Sequence, residues 1–241
     1  LLKVLENEFG VTVSQNANFV AGHSLGEYSA LCAAGSLSFE EAVRLLGIRG
    51  NAMANCATKT KGAMAAIIGS ETAMVQEIVE LAAQGEACQI ANDNSNGQIV
   101  ISGAKDAIDR AIVIAKEKGI KRAIPLPVSG AFHSSLMNDA AIEMKESLAN
   151  AQVKSPIVPL IANVTASQTS DPQEIKDLLI KQVTGSVRWR ESLIYMQENQ
   201  VTNLVEIGAG KVLCGLAGRT CKEVVTSSIQ NLEDIKLYCN K

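Results

Sequence analysis

The sequence predicts an α/β fold, and three observations carry that prediction. Strand-sized apolar segments alternate with helical stretches along most of the chain. One short strand runs directly into a Gly-x-Ser-x-Gly turn that opens a helix. The middle of the chain switches to a β-α-β-β-α-β rhythm. The 241 residues suffice for one large domain or two modest ones with a sizeable core.

The first helix is read from Leu1, Leu2, Val4, Leu5 and Phe9, which share a broad apolar face, with Gly10 as C-cap. The chain begins inside that helix and without methionine, so residues are expected upstream. Phe19-Val20-Ala21 is a short buried strand. It ends at Gly22-His23-Ser24-Leu25-Gly26, after which Glu27 to Ala34 is helical and Gly35 closes the helix. Ser38 with Glu41 forms the S-x-x-E capping box of the next helix. Along it Ala42, Leu45, Leu46, Arg49 and Met53 recur at i, i+3, i+4, i+7 and i+11, which places an arginine on the face that buries apolar groups. Arg44 lies about 140° around the helix from Arg49 and reads as surface.

The rhythm then changes. Met64 to Ile68 is a strand and Thr72 to Ala83 a helix. Cys88–Ala91 and Ile99–Ile101 are strands flanking a turn-rich Asn92-Asp93-Asn94-Ser95-Asn96-Gly97. Lys105 to Lys118 is a helix stopped by Gly119, and Arg122 to Pro127 is a last strand. That order is the order of a ferredoxin-like βαββαβ module, here an insertion over 61–129. The flanking segments, 1–60 and 130–241, then form one discontinuous core with a mainly parallel sheet. After the loop Val128 to Met137 come a helix from Ser135 to Asn150 and a strand from Val158 to Ile161. Helices over Pro172–Lys181 and Trp189–Asn199, a strand over Val201–Ile207, a helix holding Leu213 and Leu216, and a short helix near Leu232–Leu237 complete the chain.

Composition narrows the function. Hydrophobic residues at 47% and charged ones at 20% exclude a disordered chain. Twenty-two basic against 25 acidic residues leave a net charge of −3, and aromatics are 3%; neither suits a nucleic-acid binder or a base-stacking platform. No apolar run reaches the roughly 18–20 residues of a membrane span, and no signal-peptide pattern is present. Cys32, Cys56, Cys88, Cys214, Cys221 and Cys239 are scattered without a C-x-x-C, and the two histidines do not sit at ligand spacing with them. No metal site is expected, and a reducing, cytoplasmic compartment is.

The Gly-x-Ser-x-Gly element is weak as a string and stronger in context. Strand, sharp turn and helix make a nucleophile elbow, and with it an α/β-hydrolase-like core is expected. The turn presents the Ser24 hydroxyl at a helix N-terminus, where the Leu25 N–H and the helix dipole can stabilise an oxyanion. The plainer alternative is a serine N-cap in a tight βα loop. A serine nucleophile needs a base. His23 adjoins Ser24, and adjacent side chains diverge at such a turn, so it is read as packing or orienting the loop. His133 remains, in a Gly/Ser-rich loop before a helix; a capping or surface histidine is its plainer reading. No aspartate stands out as a third member: Asp93 falls in the insertion and Asp139 well past the histidine. A dyad oriented by a main-chain carbonyl fits better than a Ser-His-Asp triad. Arg49 needs an anion, either a protein carboxylate or the carboxylate of an acyl substrate held bidentately. Asn92 and Asn94 offer polar contacts or simply turn chemistry. Gly208-Ala209-Gly210-Lys211 is only loosely like a phosphate loop. Lys116, Lys118, Lys121 and Arg122 form a basic cluster that reads as solvated surface or as a dock for an acidic protein.

Taken in order, GHSLGEYSAL, the Arg49 helix, VSGAFHSSLM and EIGAGKVLCGL resemble the malonyl-CoA:acyl carrier protein transacylases of bacterial-type fatty acid synthesis, from Phe19 to about Leu237. The resemblance implies a ping-pong transfer without cofactor: Ser24 attacks the malonyl thioester of coenzyme A with His133 as base, Arg49 holds the malonyl carboxylate, and the phosphopantetheine thiol of acyl carrier protein takes the group. It further implies that Gln182, in the segment before Trp189, orients His133 through its main-chain carbonyl, and it places Asn92 and Asn94 near the cleft. The family's N-terminal Gly-Gln-Gly segment, which supplies a second oxyanion contact, is expected upstream of Leu1. Ala209 stands where the family usually has proline. A monomer is expected, with no nucleic-acid or membrane partner. The rival readings are a serine esterase or thioesterase, which would not need Arg49, and a non-catalytic acyl-carrier docking protein; a patatin-like lipase is more distant, since no Asp-Gly element is present.

Overall fold

The computed structural model describes residues 1–128 and 130–240. Ser129, at the edge of the 61–129 segment and within the loop that follows it, and Lys241 lie outside the described residues. The chain opens with α1 (Leu2–Phe9), α2 (Val13–Asn16), β1 (Val20–Ala21), α3 (Leu25–Ala33) and α4 (Phe39–Lys59). Gly10 ends α1 in the left-handed region, at φ 67°, where a side chain would be strained. Ser38 caps α4 by accepting the Glu41 N–H at 3.1 Å. The box stays half-made, because the Glu41 carboxylate grips Arg44 at 2.7 and 2.8 Å instead of returning to Ser38. Of the α4 face read from the sequence, Ala42, Leu45, Arg49 and Met53 are buried and Leu46 is partly buried.

The middle segment holds β2 (Gly62–Ile68), α5 (Thr72–Ala83), β3 (Cys88–Ser95), β4 (Gln98–Ala104), α6 (Lys105–Glu117) and β5 (Arg122–Pro125). Its strands form an antiparallel sheet in the order β3-β4-β2-β5. Alternation divides the sheet's faces. Ala65, Ile67, Ile99 and Ile101 bury against Val75, Ile78, Ile108 and Ile112 of the two helices. Met64, Ala91 and Val100 face the other way and pack on Leu126 and on Phe132, the neighbour of His133. The turn expected over 92–97 is confined to Asn96 and Gly97, and Asn92, Asp93 and Asn94 belong to β3. The physical reason lies outside the segment. Val187 donates to the Ala91 carbonyl at 2.8 Å and accepts from the Asp93 N–H at 3.0 Å, so β3 continues because a distant stretch of chain pairs with it. The buried Asp93 carboxylate is met by Arg190 at 2.8 Å, which ties the two parts of the molecule together.

A single 3-10 turn (Ser135–Met137) leads to α7 (Asn138–Ala149), followed by β6 (Leu160–Ala162), β7 (Ser167–Thr169), α8 (Pro172–Thr184), α9 (Trp189–Glu198), β8 (Asn203–Ile207), α10 (Val212–Thr220), β9 (Val225–Ile229) and α11 (Leu232–Cys239). Tyr28, Leu31, Leu45, Met144, Leu148, Leu160 and Leu179 form one core from α3, α4, α7, α8 and β6. The flanking sheet differs from the single, mainly parallel one expected. Among the described residues β1–β6 and β8–β9 are parallel pairs in two separate sheets, and β6–β7 is antiparallel. The chain reverses over Asn163–Ala166, with Ala166 at φ 52°, and β7 returns beside β6. The fold is mixed α/β. Among the described residues no helix is long and apolar enough to cross a membrane.

Candidate active site

The turn after β1 is set by a close approach. A Cβ at Gly22 would lie 1.9 Å from the Gly26 carbonyl oxygen, so only glycine fits there. Ser24 holds φ 51° and ψ −103°, a conformation that costs of order 1–3 kcal/mol and persists only where neighbours enforce it. Asn163 enforces it from the turn after β6: its Oδ1 accepts the Ser24 N–H at 2.7 Å and its Nδ2 donates to the Gly22 carbonyl at 2.8 Å. Leu25 begins α3 with its side chain exposed. Among the described residues its N–H has no acceptor, as expected of a first-turn amide.

His133, also at positive φ (57°) and buried, places Nε2 2.8 Å from Ser24 Oγ and Nδ1 2.8 Å from the Gln182 carbonyl oxygen. A carbonyl only accepts, so Nδ1 carries the proton and Nε2 faces the hydroxyl as acceptor. Burial pushes the imidazole down to about 4, with Arg49 and His23 adding to the effect against the Gln182 carbonyl; the ring is neutral at pH 7. The orienting group is thus a main-chain carbonyl and not a carboxylate. His23 turns away from this line. Its Nε2 bonds Asn94 Oδ1 at 2.8 Å and its ring lies 5.7 Å from that of Trp189.

Arg49 is 6% exposed, and its Nη2 donates to Ser24 Oγ and to Gln182 Oε1, both at 2.9 Å. Among the described residues no carboxylate lies within 4.0 Å of it, and its Nε is buried without a partner. The Tyr28 ring sits beneath the guanidinium at 5.9 Å. The internal ion pair weighed from the sequence is therefore absent from these contacts, and a buried cation beside the serine is left facing neutral acceptors. Asn94 is engaged with His23. Asn92, buried in β3, makes no side-chain hydrogen bond among the described residues.

Sequence reasoning missed three contributors. Glu27, buried on α3, receives Gln182 Nε2 and, at 3.3 Å, the Asn163 N–H. Burial pushes its carboxyl up to about 7 against those hydrogen bonds and Arg49. Its signal was an acid on a helix face shared with Tyr28, Ala30 and Leu31. Asn163 carries no local signal. Gln89 of β3 donates to the His133 carbonyl at 3.2 Å and the Thr184 carbonyl at 3.1 Å, and its Oε1 accepts the Ser135 N–H at 3.1 Å.

Two features lie apart from this cluster. The start of α10, after the Gly208–Lys211 loop, is already filled by the Glu206 carboxylate, which accepts the Leu213 and Cys214 N–H groups at 3.2 and 2.7 Å and leaves no phosphate cradle. A cavity of about 660 Å³ lies between Ile68–Glu71 and Lys118–Arg122 and shares no lining residue with the Ser24 cluster. Lys118 there is paired with Glu77.

The chain is similar to known proteins over most of its length. A family described as acyl transferase domain matches residues 7–237. A malonyl CoA-acyl carrier protein transacylase of Bacillus subtilis is 43% identical over 239 residues, spanning 98% of this chain and 74% of that protein. The acyl-carrier-protein-S-malonyltransferase of Bartonella henselae superposes with a TM-score of 0.95 at 50% identity, over 99% of this chain and 76% of its own. A malonyl-transacylase solved in complex with a type II PKS acyl-carrier protein superposes with a TM-score of 0.94 at 34% identity, over 99% of this chain and 76% of that one.

Proposed function

The chain belongs to the acyl transferase domain family, and from that membership we propose that it moves a malonyl group from coenzyme A to acyl carrier protein through a malonyl-serine intermediate. Ser24 Oγ gives its proton to His133 Nε2 and bonds to the thioester carbon. The C–S bond breaks, and the proton passes from His133 to the departing thiol. The phosphopantetheine thiol of acyl carrier protein then attacks the ester in the reverse sense. The Gln182 carbonyl holds the imidazole in the tautomer this requires and stabilises the imidazolium that forms. The Leu25 N–H is one donor to the developing oxyanion. Arg49 leaves Ser24 Oγ to take the malonyl carboxylate, and Asn92 contributes polar contact to the acyl-pantetheine arm.

The observation that carries this reading is the line Gln182 carbonyl–His133–Ser24 with Arg49 at the same serine oxygen and, among the described residues, no carboxylate within 4.0 Å of that guanidinium. A thioesterase would use the first three groups and have no use for the fourth, and a docking protein would need none of them. We read the core as α/β-hydrolase-like because a strained serine joins a strand to a helix. The inserted unit, 61–129, reads as ferredoxin-like because the sheet order β3-β4-β2-β5 with two helices on one face is that of a split βαβ. A cytoplasmic monomer is the setting this reading expects. The test is intact mass after brief exposure to malonyl-CoA, beside Ser24→Ala. A gain of one malonyl group, lost in the variant and discharged by holo acyl carrier protein, is expected. Free malonate accumulating without transfer would make the protein a hydrolase.

A further inference from the structure

Glu27 is a buried acid that the transfer mechanism above does not use. It stands one amide away from the substrate-binding cation: Gln182 Nε2 donates to its carboxyl while Gln182 Oε1 accepts from Arg49 Nη2. The same Gln182 Nε2 also donates to the Ser24 carbonyl at 3.0 Å, and the Gln182 main chain holds His133. The acceptor on Glu27 therefore fixes which end of the Gln182 amide faces Arg49. Around Glu27 the charged or titratable groups are Arg49 from α4 and Tyr28 from its own helix. Asn163 and Gln182 face it with uncharged amides, and His133 and His23 lie around Arg49.

We propose that Glu27 is a positioning residue that sets how strongly the site accepts an acyl group ending in a carboxylate: ionised, it shares the Arg49 charge through the Gln182 amide, and protonated, it leaves that charge to the substrate. A malonyl carboxylate arriving at Arg49 adds a second negative charge to a water-poor site, and two neighbouring anions drive one of the pair to take a proton. The buried carboxyl sits near neutrality, at about 7, so the exchange falls around neutral pH. Malonyl capture becomes weaker as pH rises through that value, with the loss in KM for malonyl-CoA and not in kcat. The inference rests on the Ser24–His133 reading of the site.

Two measurements test it. The first is kcat/KM for Ser24 acylation by malonyl-CoA from about pH 6 to pH 8.5, for the wild type and for E27Q, whose single amide oxygen keeps an acceptor for Gln182 Nε2 without the charge and gives up the one for the Asn163 N–H. Taking the ratio of the two proteins cancels the titration of coenzyme A itself. The E27Q to wild-type ratio is expected to rise about tenfold across that range, the equivalent of one pKa unit of coupling. The second needs no variant. Serine acylation with release of a neutral thiol consumes no proton, so the wild type mixed with malonyl-CoA near pH 7.5 in weak buffer should take up about half a proton per site, the change that one pKa unit of coupling gives to a carboxyl near 7. A flat ratio, a folded E27Q protein inert at every pH, or absence of proton uptake overturns the proposal. Absence of malonyl on wild-type Ser24 at every pH overturns the underlying reading, and this inference with it.

Discussion

Arg49→Ala removes the group that distinguishes this site from a generic serine acyl-enzyme. A guanidinium can give a carboxylate two parallel N–H bonds, and each hydrogen bond to a charged partner contributes about 1.5–3 kcal/mol. In the free protein Arg49 already bonds two neutral acceptors, Ser24 Oγ and Gln182 Oε1. Those bonds are given up when substrate binds, at about 1 kcal/mol each. The net contribution is then roughly 1–4 kcal/mol, or about 5- to 700-fold in kcat/KM for malonyl-CoA. An acetyl group has no carboxylate and forfeits only the Arg49 contact to the nucleophile, so its rate should change by less than about tenfold. Single-turnover acylation of Ser24, followed by mass with each thioester, reads both numbers. A variant whose malonyl-to-acetyl ratio stays within about threefold of the parent would show that Arg49 is not the carboxylate clamp. The measurement then returns the guanidinium to a structural role, for which the described residues offer no carboxylate partner.

His133→Ala should abolish acylation at neutral pH while the circular dichroism spectrum and chromatographic behaviour stay those of the parent; full activity would transfer the base role to His23. The acid limb of the acylation rate should fall well below 6.5, toward about 4, because only neutral His133 accepts the Ser24 proton. The same shift is a stability statement. A histidine whose folded value is depressed contributes fully above 6.5 and loses that contribution as pH falls toward 4. The difference approaches about 3 kcal/mol, so denaturant unfolding of His133→Gln should be less acid-sensitive by that order. Equal acid sensitivity in the two proteins would refute the depression. Gly22→Ala forces a Cβ into the Gly26 carbonyl and should cost several degrees of melting temperature together with acylation; Gly26→Ala, which meets open space, should melt like the parent, and the reverse order would contradict the described turn.

Local chemistry made part of this site legible. Gly22 and Ser24 stand two positions apart in a strand-turn-helix, and the close approach that demands glycine happens within five residues. Arg49 was visible because helical periodicity put a charge where the pattern required an apolar group. The tautomer-setting carbonyl was foreseen only through what was missing, an aspartate near His133, and through the family's pattern at Gln182. What stayed hidden depends on long-range pairing. Asn163 reaches Ser24 across 139 positions and Glu27 across 136, and no spacing rule connects them. The Asn92–Asn94 stretch has the composition of a turn and the structure of a strand, because Val187 and Arg190 satisfy it from elsewhere in the chain. Strands β7 and β9 are short and rich in Ser, Thr and Gln, so neither shows the apolar alternation by which strands are recognised.

The clamp made by Gln89 bears on how far the protein can be reduced. Its amide holds the His133 carbonyl, the Ser135 N–H and the end of α8, and Asn94 holds His23 from the same strand. A trimmed catalyst that splices residue 60 to residue 130 would retain the nucleophile, its base and the arginine as a parts list. It would nevertheless lose the jig that sets the base against the nucleophile. The inserted unit is therefore tooling for the reaction, and engineering that treats it as an exchangeable cassette has to reproduce β3 before it alters anything else.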